Sequence, residues 1–215
     1  MSFFEYLSNR REHLLELAIE HAQVVALSVV IATVIGLALG VLVYRRPWWA
    51  QVVLGITGVF LTIPSLALFG ILIPVFGLGY KPTVIALVMY ALLPIVRNTV
   101  TGLRGVDEAI IDSARGMGMG RWRRLLRVEL PLAWPVVMAG VRVSTLLVVG
   151  ITAIAAVVNG PGLGEDIFSG LARIGGANAL NLVLGGTLGI IVLALLFDAF
   201  FAGISRLTTS KGIRP

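Results

Sequence analysis

DSARGMGMGRWRRLLRVELP, residues 112 to 131, is the one long polar and basic segment in a chain of otherwise lipid-like runs. Val106 to Arg115 reads as a short helix that breaks at Gly116, Gly118 and Gly120, where residues without Cβ permit a sharp change of direction. A second short helix is expected from Arg121 to Val128. Trp122, Leu125 and Leu126 recur there at helical spacing, Arg123, Arg124 and Arg127 occupy the other sides, and Pro131 stands at the expected start of the next apolar span. Two short helices joined at a glycine elbow form a compact projecting knob, and the remaining chain reads as its mounting.

That mounting is membrane-like. The 215 residues are 58% hydrophobic and only 13% charged, with a mean hydropathy of +0.97, a balance outside the range of soluble domains. The net charge of +6 does not indicate nucleic acid, because the arginines cluster beside hydrophobic spans as in the loops of membrane proteins. The absence of cysteine excludes disulfides and thiolate chemistry, and two histidines, His13 and His21, are too few for a histidine-built metal centre.

Residues 1 to 21 read as a polar leader in which Asn9 followed by Glu12 fits a helix start. Leu14, Leu15 and Ala18 share one side and Glu12, Glu16 and Glu20 another, so a short amphipathic helix on the membrane surface is expected, with His21 as an interfacial polar residue. The apolar run that follows is longer than a cleaved signal sequence and reads as a retained span, from Ala22 to Val43.

The second run, Ala50 to Leu78, is too long for one straight span and holds Pro64 and Pro74, each of which deletes a helical hydrogen bond. A kink or unwound segment follows from this. Irregular backbone at membrane depth needs protein or a water-filled cavity as partner, so Thr62, Pro64 and Ser65 are candidates for lining a path. A third span runs from Thr83 to Gly102, a fourth from Ala133 to Val158 and a fifth from Leu180 to Ile204. Arg142 and Asp198 fall inside the last two, within snorkelling distance of one interface, and are expected to form a structural pair, or to snorkel separately, rather than to serve as an ion relay.

Placing loops 44 to 49 and 103 to 131 and the C-terminal tail in the cytoplasm, with Arg97 and Arg142 at that interface, puts thirteen of the seventeen Lys and Arg on that side. The positive-inside rule then gives an external N-terminus, five spans and an internal C-terminus. Within the external loop, 159 to 179, glycines and Pro161 break helix before Ile167 and Phe168 can re-enter the membrane edge. Glu165 and Asp166 there are expected to be solvated or to dock a protein, since sequence neighbours diverge and no nucleophile or metal set accompanies them. No GxxxxGK[ST] phosphate loop occurs, so any ATP must be hydrolysed by another chain.

The spacing Asp112, Ser113, Ala114, three residues, Gly118, nine residues, Val128, one residue, Leu130, Pro131 resembles the EAA motif of binding-protein-dependent ABC importer permeases. That motif reads Glu-Ala-Ala, three residues, Gly, nine residues, Ile, one residue, Leu-Pro. Asp112, Ser113 and Val128 are conservative departures. The resemblance implies that Asp112, Ser113, Ala114, Gly116, Gly118, Val128, Leu130 and Pro131 belong to a coupling loop that docks on a cytoplasmic ATPase. LTIPSLALFG at 61 to 70, ARGMGM at 114 to 119 and GPGLGEDIFSGL at 160 to 171 are similar to permeases of the glycine betaine, carnitine, choline and proline uptake group.

The expected molecule is therefore an all-α, polytopic inner-membrane protein, one transmembrane domain over residues 1 to 215, with no catalytic residues and no metal of its own. By resemblance its partners are an ATPase pair carrying ATP and Mg, a second permease, identical or sister, a separate external solute-binding protein, and membrane lipid. The alternatives are the same importer class for another small solute such as an amino acid, and an ion-coupled secondary transporter. The latter calls for an acidic relay and an internal repeat, which are not seen. No aromatic cage for a quaternary ammonium is evident, because Trp48, Trp49, Trp122 and Trp134 fall at the expected cytoplasmic interface. Tight recognition is accordingly expected in the external binding protein.

Overall fold

The computed structural model describes residues 2 to 208, so the expected cytoplasmic tail with Lys211 and Arg214 lies outside the described residues. The described chain is built from helices: α1 Phe3–Asn9, α2 Arg11–Val43, α3 Pro47–Thr62, α4 Ser65–Phe76, α5 Tyr80–Arg104, α6 Glu108–Gly116, α7 Arg121–Arg124, α8 Leu130–Ile154, α9 Gly164–Leu171 and α10 Ala179–Thr208. Four stretches are long and apolar enough to cross a membrane: α2, α5, Arg121–Val158 and α10. The second expected run, Ala50 to Leu78, is the pair α3 and α4, bent by 98° at the break between them, and makes a fifth crossing if the pair is taken as one span.

Proline chemistry locates that break. Pro64 cannot donate to a preceding turn, and Ile63 before it adopts an extended conformation (φ −71°, ψ 124°), as residues preceding proline tend to. Pro74, Pro94 and Pro135 lie inside continuous helices, so only the first of the two prolines in the second run breaks it.

Helices α2, α5 and α8 form the centre, with Val25, Phe69, Leu87, Tyr90, Ile95 and Val148 in one core. Hydrophobic burial gives little preference for helix contact in lipid, so close approach of backbones has to supply dispersion contacts. Gly36 and Gly40, one turn apart on α2, provide it: a Cβ on Gly36 would meet Ile95 at 2.7 Å, and one on Gly40 would meet Thr99 at 2.5 Å. On the other side of α5, a Cβ at Gly140 would lie 2.8 Å from the Pro94 carbonyl oxygen.

The start of the chain departs from expectation. Ser2, not Asn9, is the decisive cap: its side chain accepts from the Glu5 amide while the Glu5 carboxylate accepts from the Ser2 amide, starting α1. Asn9 is the last residue of α1. After a break at Arg10, α2 runs unbroken from Arg11 to Val43, so the supposed surface helix is the outward continuation of the first span. His21 is wholly buried within it, with Nε2 donating to the Val149 carbonyl oxygen at 3.0 Å, and is a packing residue rather than an interfacial one.

Candidate functional site

The knob is assembled from local signals. Asp107 accepts from the Ala109 amide at 2.9 Å and starts α6, whose first turn carries Glu108. Asp112 pairs with Arg115 at 2.8 Å on the exposed side, Ser113 donates to the Ala109 carbonyl, and Ala114 is turned inward and buried. Among the three glycines only Gly118 has positive φ, +74°. Gly116 remains helical, and Gly120 precedes α7 in an extended conformation open to other residues.

The second half of the knob is not a separate helix. α7 passes through a wide π turn at Leu125–Glu129, where the Leu130 amide donates to the Leu125 carbonyl, and continues as α8. Pro131 therefore sits in the first turn of α8 within a continuous helix. Of the three apolar residues at helical spacing, Trp122 and Leu126 are 69% and 61% exposed, whereas Leu125 is buried. With Ile110 and Met117, Trp122 and Leu126 give the knob exposed apolar groups among Arg121, Arg123 and Arg127.

The base of the knob is ionic. Glu129, with no solvent exposure, accepts from the Tyr44 hydroxyl at 2.6 Å, Arg45 Nη2 at 2.8 Å and Arg124 Nε at 2.9 Å. Arg104 Nε donates to the Tyr44 carbonyl oxygen at 2.7 Å. Burial, then the Glu129 carboxylate, pushes the Tyr44 hydroxyl above its ordinary range and keeps it a donor. The ends of α2 and α5 and the root of the knob are thus one junction. Sequence reasoning missed it; the available signal was a lone Glu within the RWRRLLRVELP run.

At the opposite end of the bundle, Asp166 of α9 is buried, not solvated. It accepts from the Tyr6 hydroxyl at 3.0 Å and faces His13 Nε2 at 3.2 Å and the Arg10 guanidinium at 3.7 Å. Burial, then the Asp166 charge, pushes the Tyr6 hydroxyl up to about 12. The spacing of Tyr6, Arg10 and His13 along one helical side was the unused clue.

Between these ends lie the other predicted residues. Thr62 and Pro64 are exposed and Ser65 half-buried at the break, and the Tyr90 hydroxyl donates at 2.6 Å to the Ile63 carbonyl that the break leaves without a helical partner. Arg142 and Asp198 are brought together in a two-bond contact, Nε to Oδ1 at 2.5 Å and Nη2 to Oδ2 at 2.6 Å. Arg142 stands about 20 Å along the helix from Glu129 at 1.5 Å per residue. Among the described residues no group of His, Asp and Glu is positioned to hold a metal ion.

This architecture is similar to known proteins along its whole length. The chain is 39% identical to the osmoprotectant import permease protein OsmW of Salmonella typhimurium, over all of both chains. It is 36% identical to the glycine betaine/carnitine/choline transport system permease protein OpuCB of Bacillus subtilis, covering 91% of this chain and 88% of that one. Against the choline transport system permease protein OpuBB of the same organism the identity is 35%, over 98% and 95%. Among solved structures, the inward-facing MetNI methionine ABC transporter superimposes with a TM-score of 0.80 at 25% identity, over 92% of this chain and 96% of that one. Residues 32–210 match the model of one family, and the chain belongs to it: the binding-protein-dependent transport system inner membrane components.

Proposed function

We propose that this chain is the membrane subunit of an ATP-driven importer of glycine betaine or a related quaternary-ammonium osmoprotectant. The full-length similarity to permeases named for such solutes carries the reading of the solute. The knob carries the reading of the mechanism. It presents apolar and basic groups outward, turns on Gly118, and is tied through Glu129 to the ends of α2 and α5, so a force applied to it reaches the spans as rigid-body movement.

In this reading residues 103 to 131, with Asp112, Ser113, Ala114, Gly116, Gly118, Val128, Leu130 and Pro131, dock on an ATPase pair that binds ATP and Mg. Residues 1 to 21 and 159 to 179 face a separate solute-binding protein outside, and a second permease, identical or sister, completes the path. Thr62, Pro64 and Ser65 line that path at the broken span. A second reading, an amino acid as solute, is favoured by the likeness to the methionine transporter.

Reconstitution of the permease with its ATPase and solute-binding protein in proteoliposomes tests this. ATP-dependent uptake of glycine betaine or choline is expected. Uptake of methionine with neither of these moves the assignment to the second reading, and uptake that follows an ion gradient without ATP overturns the mechanism.

A further inference from the structure

We propose that Arg142 and Asp198 form a solute site on the translocation path, which takes a zwitterion bearing a carboxylate and a quaternary ammonium by exchanging partners with it. This rests on the osmoprotectant reading above and adds the residues that separate zwitterion from cation. Of the other ion-paired carboxylates among the described residues, Asp112 lies on the exposed side of the knob beside Arg115, and Glu129 and Asp166 are sealed: both are buried, and each is held by three side chains. The Arg142 and Asp198 side chains are instead 44% and 33% exposed, and among the described residues each has only the other as polar partner.

Such a pair is out of place against hydrocarbon, where charges are stable only when paired and enclosed or when they adjoin water. Here they border a cavity of about 410 Å³, with Met138, Leu146, Phe201 and Ser205 on its walls. The cavity therefore joins two opposite charges to apolar and aromatic surface, the combination that a small methylated zwitterion presents in complement.

The exchange conserves charge pairing. Arg142 offers a planar fork of donors that suits a carboxylate, and the freed Asp198 faces the quaternary ammonium, which has no N–H to donate and is held by charge, by Met138 and by the ring face of Phe201. Each solute contact replaces a contact within the pair, so affinity is low, and re-forming the pair expels the solute. A cation without a carboxylate gains Asp198 only and is repelled by Arg142.

The test is uptake of glycine betaine and of choline by the complete reconstituted importer, each delivered at saturating loaded binding protein. Arg142→Gln is expected to lower maximal glycine betaine uptake about tenfold and choline uptake less than about twofold. Asp198→Asn is expected to lower both. A purely structural pair would move both solutes together, and an unchanged ratio in Arg142→Gln overturns the site.

Should that variant fail to co-purify with the ATPase, the exchanged chain Arg142→Asp with Asp198→Arg decides. It keeps the pair but presents the charges on opposite walls, so glycine betaine uptake should remain at least about fivefold down. Full recovery of both solutes there overturns the proposal. A wild-type importer that moves neither solute sinks the osmoprotectant reading and this site with it, whereas wild-type uptake with an unmoved ratio sinks the site alone.

Discussion

Gly118 and Glu129 are the two positions where a single side chain governs the knob, for opposite reasons. A Cβ on Gly118 would meet nothing within 4 Å, so the constraint is the backbone alone: φ of +74° costs a residue with a side chain about 1–2 kcal/mol, and more when it is β-branched. Gly118→Val should therefore leave the chain inserted and uncouple solute-stimulated ATP hydrolysis, whereas Gly116→Ala, at a helical and open position, should not. Wild-type uptake by Gly118→Val would mean that the motif match is accidental. Glu129 is constrained by its surroundings. Glu129→Ala leaves the Arg124 guanidinium buried without its carboxylate, a change that typically costs about 3–5 kcal/mol. Denaturant titration of the purified permease should read a loss of that size. A loss below about 1 kcal/mol, the value of a surface pair, would show that the junction adds nothing to the fold.

Among the elements, α1 and α9 depend on each other more than on their own propensities. α1 has seven residues and α9 eight, lengths at which an isolated helix is marginal in water, so tertiary contacts order them: the clasp at Asp166 and close packing on α10 at Gly185 and Gly186. Tyr6→Phe removes a charge-assisted hydrogen bond usually worth about 1.5–3 kcal/mol. Faster amide exchange should then appear over both helices while α5 stays protected; unchanged exchange in α9 would separate the two elements. The pH window follows from the Tyr6 hydroxyl, whose folded value of about 12 lies above its ordinary 10.0. The unfolded chain sheds that proton first, so the stabilisation is complete below pH 10 and is lost as pH rises through 10 towards 12.

At the level of the whole molecule, the two ends of the bundle differ in charge as well as in shape. The knob end gathers Arg45, Arg46, Arg104, Arg115, Arg121, Arg123, Arg124 and Arg127, and the clasp end carries fewer bases, Arg10, Arg11, Lys81 and Arg173, beside Glu5, Glu12 and Glu16. Such asymmetry orients a membrane protein with its arginines towards the cytoplasm. Reporter fusions should accordingly read Asn9 and Asp166 as external and Arg124 as internal. An externally labelled Arg124 would place the knob out of reach of any ATPase and overturn the proposed coupling. A knob bonded to α2 and α5 at its root, yet bare at its tip, is the form expected of a lever.

Hydropathy, period and proline placement are properties of a few neighbouring residues, and they were enough to locate the spans, the break at Pro64 and the glycine turn of the knob. They placed the turn within the run of Gly116, Gly118 and Gly120 but could not tell which of the three required it, because positive φ, found at Gly118, depends on where α6 ends and α7 begins. They also fell short wherever a polar group is satisfied by a distant one. Asp166 looked like surface because its partners, Tyr6, Arg10 and His13, lie on the first two helices; Glu129 looked incidental because Tyr44 and Arg45 lie at the end of α2. Only the packing of α2, α5, α8 and α10 brings such groups within about 3 Å, where a hydrogen bond forms. In a low-dielectric interior those long-range pairings decide whether a charge is a surface ornament, a structural tie or a binding group, and local sequence carries no record of them.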